Sequence, residues 1–109
     1  MVSFSHKKRD AIFRALADPT RREILGLLRD GRKTVGEIAQ DFPVSRPAIS
    51  KHLRALRLAN LVVTRRRGRT CFCSLNSEPL RAVDDWLRDY RAFWAASLRK
   101  LRAYVENHP

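Results

Sequence analysis

The stretch "RPAISKHLRALRLANLV", residues 46–62, sets Arg46, Lys51, His52, Arg54 and Arg57 among regularly spaced apolar side chains. Ile49, Leu53 and Leu56 recur at i, i+4 and i+7, a single stripe along a helix. At about 100° per residue, Pro47, Ser50, Lys51 and Arg54 fall on the opposite side. Arg46 and Arg57 lie on one flank, Ala48 and Ala55 on the other. The outward face therefore carries small and cationic groups and no acid. Such a helix either keeps a solvated basic face or lies on something negative. The flanking sequence decides which.

Immediately upstream, "TVGEIAQDF" (34–42) opens with a capping box, Thr34 as N-cap and Glu37 three residues on. Val35, Ile38 and Ala39 give it an inward face and Pro43 stops it, so it is a helix of about two turns. The short stretch "FPVS" (42–45) separates it from the basic helix, which Ser45 is placed to cap and which runs over about 45–59. Two helices joined this tightly describe a helix-turn-helix.

Downstream of Asn60 the period changes. "LVVTRRRGRTCFCSL" (61–75) is β-branched and aromatic at its ends, with a glycine inside an arginine cluster. It reads as a β-hairpin with "RRGR" at its tip, a wing over about 61–75. The stretch "NSEPLRAVDDWLRDYRAFWAASLRKLRAYVE" (76–106) then reads as one long helix over about 77–106, capped by Asn76 or Ser77. Leu80, Val83, Leu87, Tyr90, Trp94, Ser97, Leu101 and Tyr104 follow a 3–4 spacing, a coiled-coil-like seam. Trp86, Phe93, Leu98 and Val105 widen it. From Leu80 to Val105 such a helix measures about 39 Å at 1.5 Å per residue. A small domain cannot easily cover so wide and aromatic a stripe, and a second subunit is the economical cover.

Two helices precede the basic one. The first runs from about Lys7 to Ala17 with Ile12, Phe13 and Leu16 on one face. In the second, Asp18 is a suitable N-cap and Pro19 suits the first helical position. Ile24, Leu25, Leu27 and Leu28 form its apolar stripe, and Gly31 can end it in the left-handed conformation. The order of elements is that of a mainly α winged helix-turn-helix with a small β-hairpin, a single domain over 1–109.

Composition fits this reading. The 109 residues include 23 Lys plus Arg against 11 Asp plus Glu, a net charge of +12, which favours a polyanionic partner. No apolar run approaches a membrane span of roughly 18 residues. The N-terminal "MVSFSHKKRD" is followed by no apolar core of a secretory signal. Cys71 and Cys73 are too few and too close for a disulfide framework, so a reducing cytoplasm is expected, with association to the nucleoid when bound to DNA.

Double-stranded DNA suits the geometry, because a helix enters the major groove and reads base edges there. Arginines at the wing tip, Arg65, Arg66, Arg67 and Arg69, are placed to meet the backbone or a neighbouring minor groove. A stacking RNA-binding module is disfavoured because only Phe72 stands on a strand near the basic cluster. A membrane-surface helix is disfavoured because Asp84, Asp85, Asp89 and Glu106 dilute the basic residues of the last helix. No phosphate-binding glycine loop, nucleophile elbow or triad is present, so no enzymatic activity and no cofactor is expected.

"ALADPTRREILGLL" together with "VSRPAISKHLRALRLANLV" and the "RRRGR" wing resembles the ArsR-type bacterial repressors. The likeness covers about Phe13 to Leu75 by motif. It implies a homodimer formed by the first and last helices, through Ile12, Phe13, Leu87, Tyr90, Phe93, Trp94, Leu98 and Leu101. It implies two recognition helices on successive major grooves of a palindromic operator, and repression by occupying a promoter. Within it, Ser45, Arg46, Pro47, Ala48, Ser50, Lys51, His52, Arg54 and Arg57 fall on the recognition helix. Arg46 and Lys51 are best placed for base edges, Arg54 and Arg57 for phosphates, and Ser45 and Ser50 for short bonds to either. Pro47 and Ala48 permit close approach. His52 borders the apolar stripe and is more a positioning residue than a reader.

The resemblance stops short of the family's metal sites. The helix before the turn, "GEIAQDF", has no thiol, and the last helix offers Asp84, Asp85 and Asp89 with no histidine before His108. Zinc and thiophilic metals prefer imidazole and thiolate. Cys71 and Cys73 share one side of a strand with Leu75 and read first as small hydrophobes beneath the wing. The competing reading is a thiol pair sensing a soft metal or oxidation, although two ligands are too few for a closed zinc site. The aromatic cluster Trp86, Tyr90, Phe93 and Trp94 reads as dimer core before it reads as an effector pocket. The effector, if there is one, is unspecified.

Overall fold

In the computed structural model residues 4–108 are described. Met1–Ser3, the start of the stretch read as lacking a secretory signal, and Pro109, the end of the expected 1–109 domain, lie outside them. The elements are α1 (Phe4–Leu16), α2 (Pro19–Leu28), β1 (Lys33–Thr34), α3 (Val35–Gln40), α4 (Arg46–Leu58), β2 (Val62–Arg67), β3 (Thr70–Leu75) and α5 (Leu80–Asn107).

Local chemistry sets most boundaries. Asp18 accepts from the Arg21 backbone N–H at 3.1 Å and caps α2. Arg22 Nη1 donates to the carbonyls of Leu16 (2.7 Å) and Ala17 (3.2 Å), satisfying the end of α1. The capping box of α3 is complete: the Glu37 N–H donates to Thr34 Oγ1 (3.1 Å) and the Thr34 N–H to Glu37 Oε1 (3.0 Å). Ser45 Oγ accepts from the Ala48 N–H at 3.3 Å to start α4.

The end of α4 carries the sharpest turn. Asn60 is the one non-glycine residue at positive φ (61°) among the described residues. Its N–H donates to the Arg57 carbonyl and that of Leu61 to the Leu56 carbonyl, both at 2.9 Å. This is a Schellman ending with asparagine in the left-handed position. Leu56 and Leu61, the residues such an ending brings together, are both fully buried.

One core lies where α1, α2, α3, α4 and the sheet converge. Its fully buried members are Ile24, Ile38, Ile49, Leu53, Leu56, Leu61 and Cys73. Each of these aliphatic side chains contributes about 1.5–3 kcal/mol on burial.

The sheet differs from the expected two-stranded hairpin. It has three antiparallel strands in the order β1-β3-β2, with Lys33 opposite Cys73 and Thr34 opposite Phe72. Strand β1 is only two residues long and Thr34 belongs to it while also capping α3, so no alternation announces it. In the hairpin itself Val62 faces Leu75 and Arg67 faces Thr70. The two-residue turn has Gly68 (φ 62°) first, where a type II′ turn takes glycine.

The start of α5 is also a correction. Pro79 holds the N-cap position and no side chain caps the helix. Asn76, expected there, instead donates from Nδ2 to the Asn60 carbonyl (2.8 Å), while its Oδ1 accepts from the Glu78 N–H (3.3 Å). It ties the exit of the wing to the end of α4.

Leu80, Ala82 and Val83 of α5 pack against the core, but no residue of this helix is buried. The rest of it projects outward. The radius of gyration is 18.9 Å with extents of 65 × 40 × 22 Å, against about 13 Å for a compact chain of this length.

Candidate nucleic-acid interface

The two faces of α4 have opposite fates. Ile49, Leu53 and Leu56 are all 0% exposed, which fixes the rotation of the helix. Arg46, Pro47, Ser50, Lys51, Arg54 and Arg57 are consequently exposed, with Ala48 and Ala55 half-buried on the flank. Ser45, capping the helix, is exposed at its amino end. The helix presents a cationic surface about 20 Å long, at 1.5 Å per residue.

Arg46 is drawn back: its guanidinium lies over Gly36 in the first turn of α3, where a Cβ added to the glycine would sit 3.8 Å from Nη2. His52 turns the other way. It is half-buried, and its Nδ1 accepts from Arg21 Nε at 3.2 Å. That bond ties the middle of α4 to the first turn of α2. Asp18 completes the junction. Its carboxyl is held below the usual aspartate value, first by the Arg21 backbone N–H and further by the Thr20 backbone N–H and the Arg21 charge, against partial desolvation. Glu37 is likewise held below the usual glutamate value, chiefly by the backbone and hydroxyl of Thr34.

The wing brings Arg65, Arg66, Arg67 and Arg69 to the exposed end of the hairpin. Val62 is buried at its base while Val63 is 42% exposed.

Two basic residues were missed in the sequence. Arg32 stacks its guanidinium 4.3 Å from the Phe72 ring centroid, adding a cation to the wing's root. Arg21 acts from α2 through His52. Neither stands out in one dimension, since each belongs to the surface only once α2 and the sheet pack beside α4.

The cysteines separate. Cys73 is fully buried in the core and Cys71 half-buried; both are free thiols. Burial pushes the Cys73 thiol up, with Cys71 adding to the rise and Arg57 opposing it. A thiol so raised is protonated near neutral pH and is a poor nucleophile or ligand. Among the described residues no three His, Cys, Asp or Glu side chains gather as a metal site. Asp84 and Asp85 are engaged by Arg91 and Arg88.

Along its length α5 exposes Trp86, Tyr90, Phe93, Trp94, Leu98, Leu101, Tyr104 and Val105. Leu87 is half-buried at the inner edge of this stripe. Phe13 joins it from α1, edge-on to Trp86 at 5.3 Å between centroids, and Trp86 is followed by Tyr90 at 5.1 Å. Ile12 does not join it. At 5% exposure it belongs to the protomer's own core, because the first helix turns that side onto the body of the domain.

Comparison with known proteins agrees with this architecture. The profile described as "Bacterial regulatory protein, arsR family" matches residues 18–64, from the cap of α2 into β2. The transcriptional repressor SdpR of Bacillus subtilis is 40% identical over 79 residues, 72% of this chain and 88% of that protein. The HTH-type transcriptional regulator Rv2034 of Mycobacterium tuberculosis is 40% identical over 94 residues, 86% of this chain and 85% of that protein. Among solved structures, an ArsR-like transcriptional regulator from Rhodococcus sp. RHA1 superposes with a TM-score of 0.73 at 30% identity, covering 94% of this chain and 96% of that one. With this fold, this capped basic helix and these relatives, the chain belongs to the ArsR family of bacterial regulatory proteins and is a winged helix-turn-helix transcriptional regulator that binds DNA.

Proposed function

We propose that the protein is a homodimeric repressor, working in the cytoplasm, that occupies a palindromic operator in double-stranded DNA. The observation that carries this reading is α4, whose apolar stripe is wholly buried while its opposite face is cationic, exposed and free of acids. Inserted into a major groove, this face brings Lys51 to base edges and Arg54 and Arg57 to phosphates, and Arg46, exposed at the amino end of α4, joins Lys51 by swinging its guanidinium out from Gly36. Ser45 and Ser50 add short bonds, and Pro47 and Ala48 let the backbone approach. His52 positions the helix from behind. Arg65, Arg66, Arg67 and Arg69 follow the backbone beyond the groove, with Arg32 at the wing's root.

The dimer is supported by the uncovered stripe of α5 with Phe13. Pairing Leu87, Tyr90, Phe93, Trp94, Leu98 and Leu101 with a second copy removes that apolar surface from water. A two-fold dimer then offers its recognition helices to half-sites one helical turn apart, about 34–36 Å. Repression is supported by the relative in Bacillus subtilis, which is named a transcriptional repressor.

Selection from a random duplex pool tests the reading. A two-fold symmetric site is expected, bound at least about 10³-fold tighter than scrambled DNA. With about eight phosphates contacted, log affinity falls against log salt with a slope near −7. Equal affinity for selected and scrambled duplexes overturns it in favour of a sequence-indifferent DNA-binding module.

A further inference from the structure

Helix α5 pairs most of its charges along its own length. Asp84 is held by Arg91, Asp85 by Arg88 and Glu106 by Arg102. Among the described residues Asp89 is the one acid of α5 outside an ion pair, and Arg99 and Lys100 are its unpaired bases. The cause is local. No base stands three or four residues from Asp89, and no acid stands at those distances from Lys100. At about 100° per residue, Asp89 and Lys100 lie about 20° apart around the helix, on one flank of the apolar ridge. Arg91 and Arg102 lie on the other flank, and Arg99 lies at the back.

Asp89 also borders a hollow. With Trp86, Tyr90, Phe93 and Trp94 it lines an open depression of about 580 Å³ on α5. Trp86, Asp89, Tyr90 and Phe93 stand at i, i+3, i+4 and i+7, the four corners of a hole that takes a side chain from a facing helix. Aromatic walls beside one carboxylate suit a cation on a long apolar stem. The charged head meets the carboxylate and the ring faces, and the stem lies along the rings. A lysine from a facing helix has that shape.

We propose that the two α5 helices of the dimer run antiparallel, crossing the two-fold axis beside Trp94, and that Lys100 of each subunit enters the aromatic hollow of the other to pair with Asp89. The proposal rests on the dimer reading and adds its polarity, its register and a specific contact. In an antiparallel two-fold pair like flanks meet, so Asp89 faces the partner's Lys100 twice. Setting those residues level also brings Leu87 within about 1.5 Å of level with the partner's Leu101, and Tyr90 equally close to level with the partner's Leu98. Apolar ridge and charges therefore ask for one register. A parallel pair sets opposite flanks together, Lys100 beside the partner's Arg102, and these repel. It also crowds both domain bodies, which pack on the first turns of α5, at one end.

Cross-linking of the wild-type chain tests the contact. Unlabelled and ¹⁵N-labelled protein are mixed until subunits exchange, then treated with a water-soluble carbodiimide, which couples a carboxylate to a primary amine without a spacer. A mixed-isotope Asp89–Lys100 cross-link is expected by mass spectrometry. Within one protomer the two residues are about 16.5 Å apart along the helix, too far to be joined. Charge reversal is the second arm. Asp89→Lys and Lys100→Asp should each weaken self-association by about tenfold at low salt, because two exposed pairs per dimer turn repulsive. An equimolar mixture of the two variants should form heterodimers within about threefold of wild-type affinity, since every facing pair is again opposite in charge. The cross-link keeps the test sound if a variant fails to fold. A wild-type dimer whose Lys100 couples to other carboxylates instead, or a mixture that associates no better than its components, overturns the pairing and leaves the dimer reading standing. A wild-type chain that stays monomeric in sedimentation overturns both.

Discussion

Helices α4 and α5 are amphipathic in the same way, yet the protomer treats them oppositely. The stripe of α4 is buried completely, whereas α5 contains no buried residue and exposes an apolar ridge from Trp86 to Val105. An apolar stripe states that something must cover it, not what. For α4 the cover is α2, α3 and the sheet, and the reward is a cationic face of fixed direction. For α5 only the first turns reach the core. The contrast separates a surface that the protomer finishes alone from one it leaves for a second molecule.

Truncating each stripe sharpens that contrast most. Leu53→Ala should lower unfolding free energy by about 2–5 kcal/mol, read by denaturant titration at low protein concentration. Leu101→Ala, at a position 58% exposed, should change it by less than about 0.5 kcal/mol under the same conditions. Similar losses in both would mean that α5 is covered within the protomer.

Charging the open ridge comes next. Trp94→Asp should weaken self-association by about 2 kcal/mol or more, with far-UV circular dichroism unchanged. An unaltered mass in sedimentation would remove α5 from the subunit contact.

On the DNA side, the two basic surfaces should differ in kind. Arg46→Ala is expected to cost about 1–3 kcal/mol on the preferred operator and to relax preference at one base pair. Arg67→Ala should weaken all sequences alike and reduce the salt slope by about one. Loss of preference from the wing variant and uniform weakening from the helix variant would reverse the docking.

The smallest effects concern caps. Thr34→Ala should destabilise by about 1 kcal/mol, whereas Ser77→Ala, which removes no cap bond from α5, should be close to neutral. Glu37 has a folded-state pKa below its usual 4.5. Its contribution is therefore full above about 4.5 and is lost as pH falls through the lower folded value. Melting temperatures between pH 5 and 3 should fall less steeply for Glu37→Gln than for the wild type.

Much of the fold could be read from local chemistry. The capping box at Thr34, the Ser45 cap, the stripe of α4 and the glycine of the wing are dictated within a few residues, and the structure has them. Three features were not legible. Strand β1 pairs across forty residues with β3, and two residues carry no period. Asn76 has the same side chain whether it caps a helix or clasps Asn60, and only the arrival of α4 chooses. Ile12 and Phe13 are adjacent on α1, and which one faces inward depends on how that helix docks.

The sequence by itself determined which segments are helices, where most of them start and stop, and that one helix is basic opposite its apolar stripe. Those outcomes depend on contacts among near neighbours and on net charge, both of which a chain carries before it folds. Tertiary structure decided the rest. It buried Cys73 and raised its thiol pKa, turned His52 onto Arg21, set Arg32 on Phe72, and left the Arg9 Nε covered without an acceptor. Burial and desolvation depend on which surfaces meet, and that is settled only when distant segments pack.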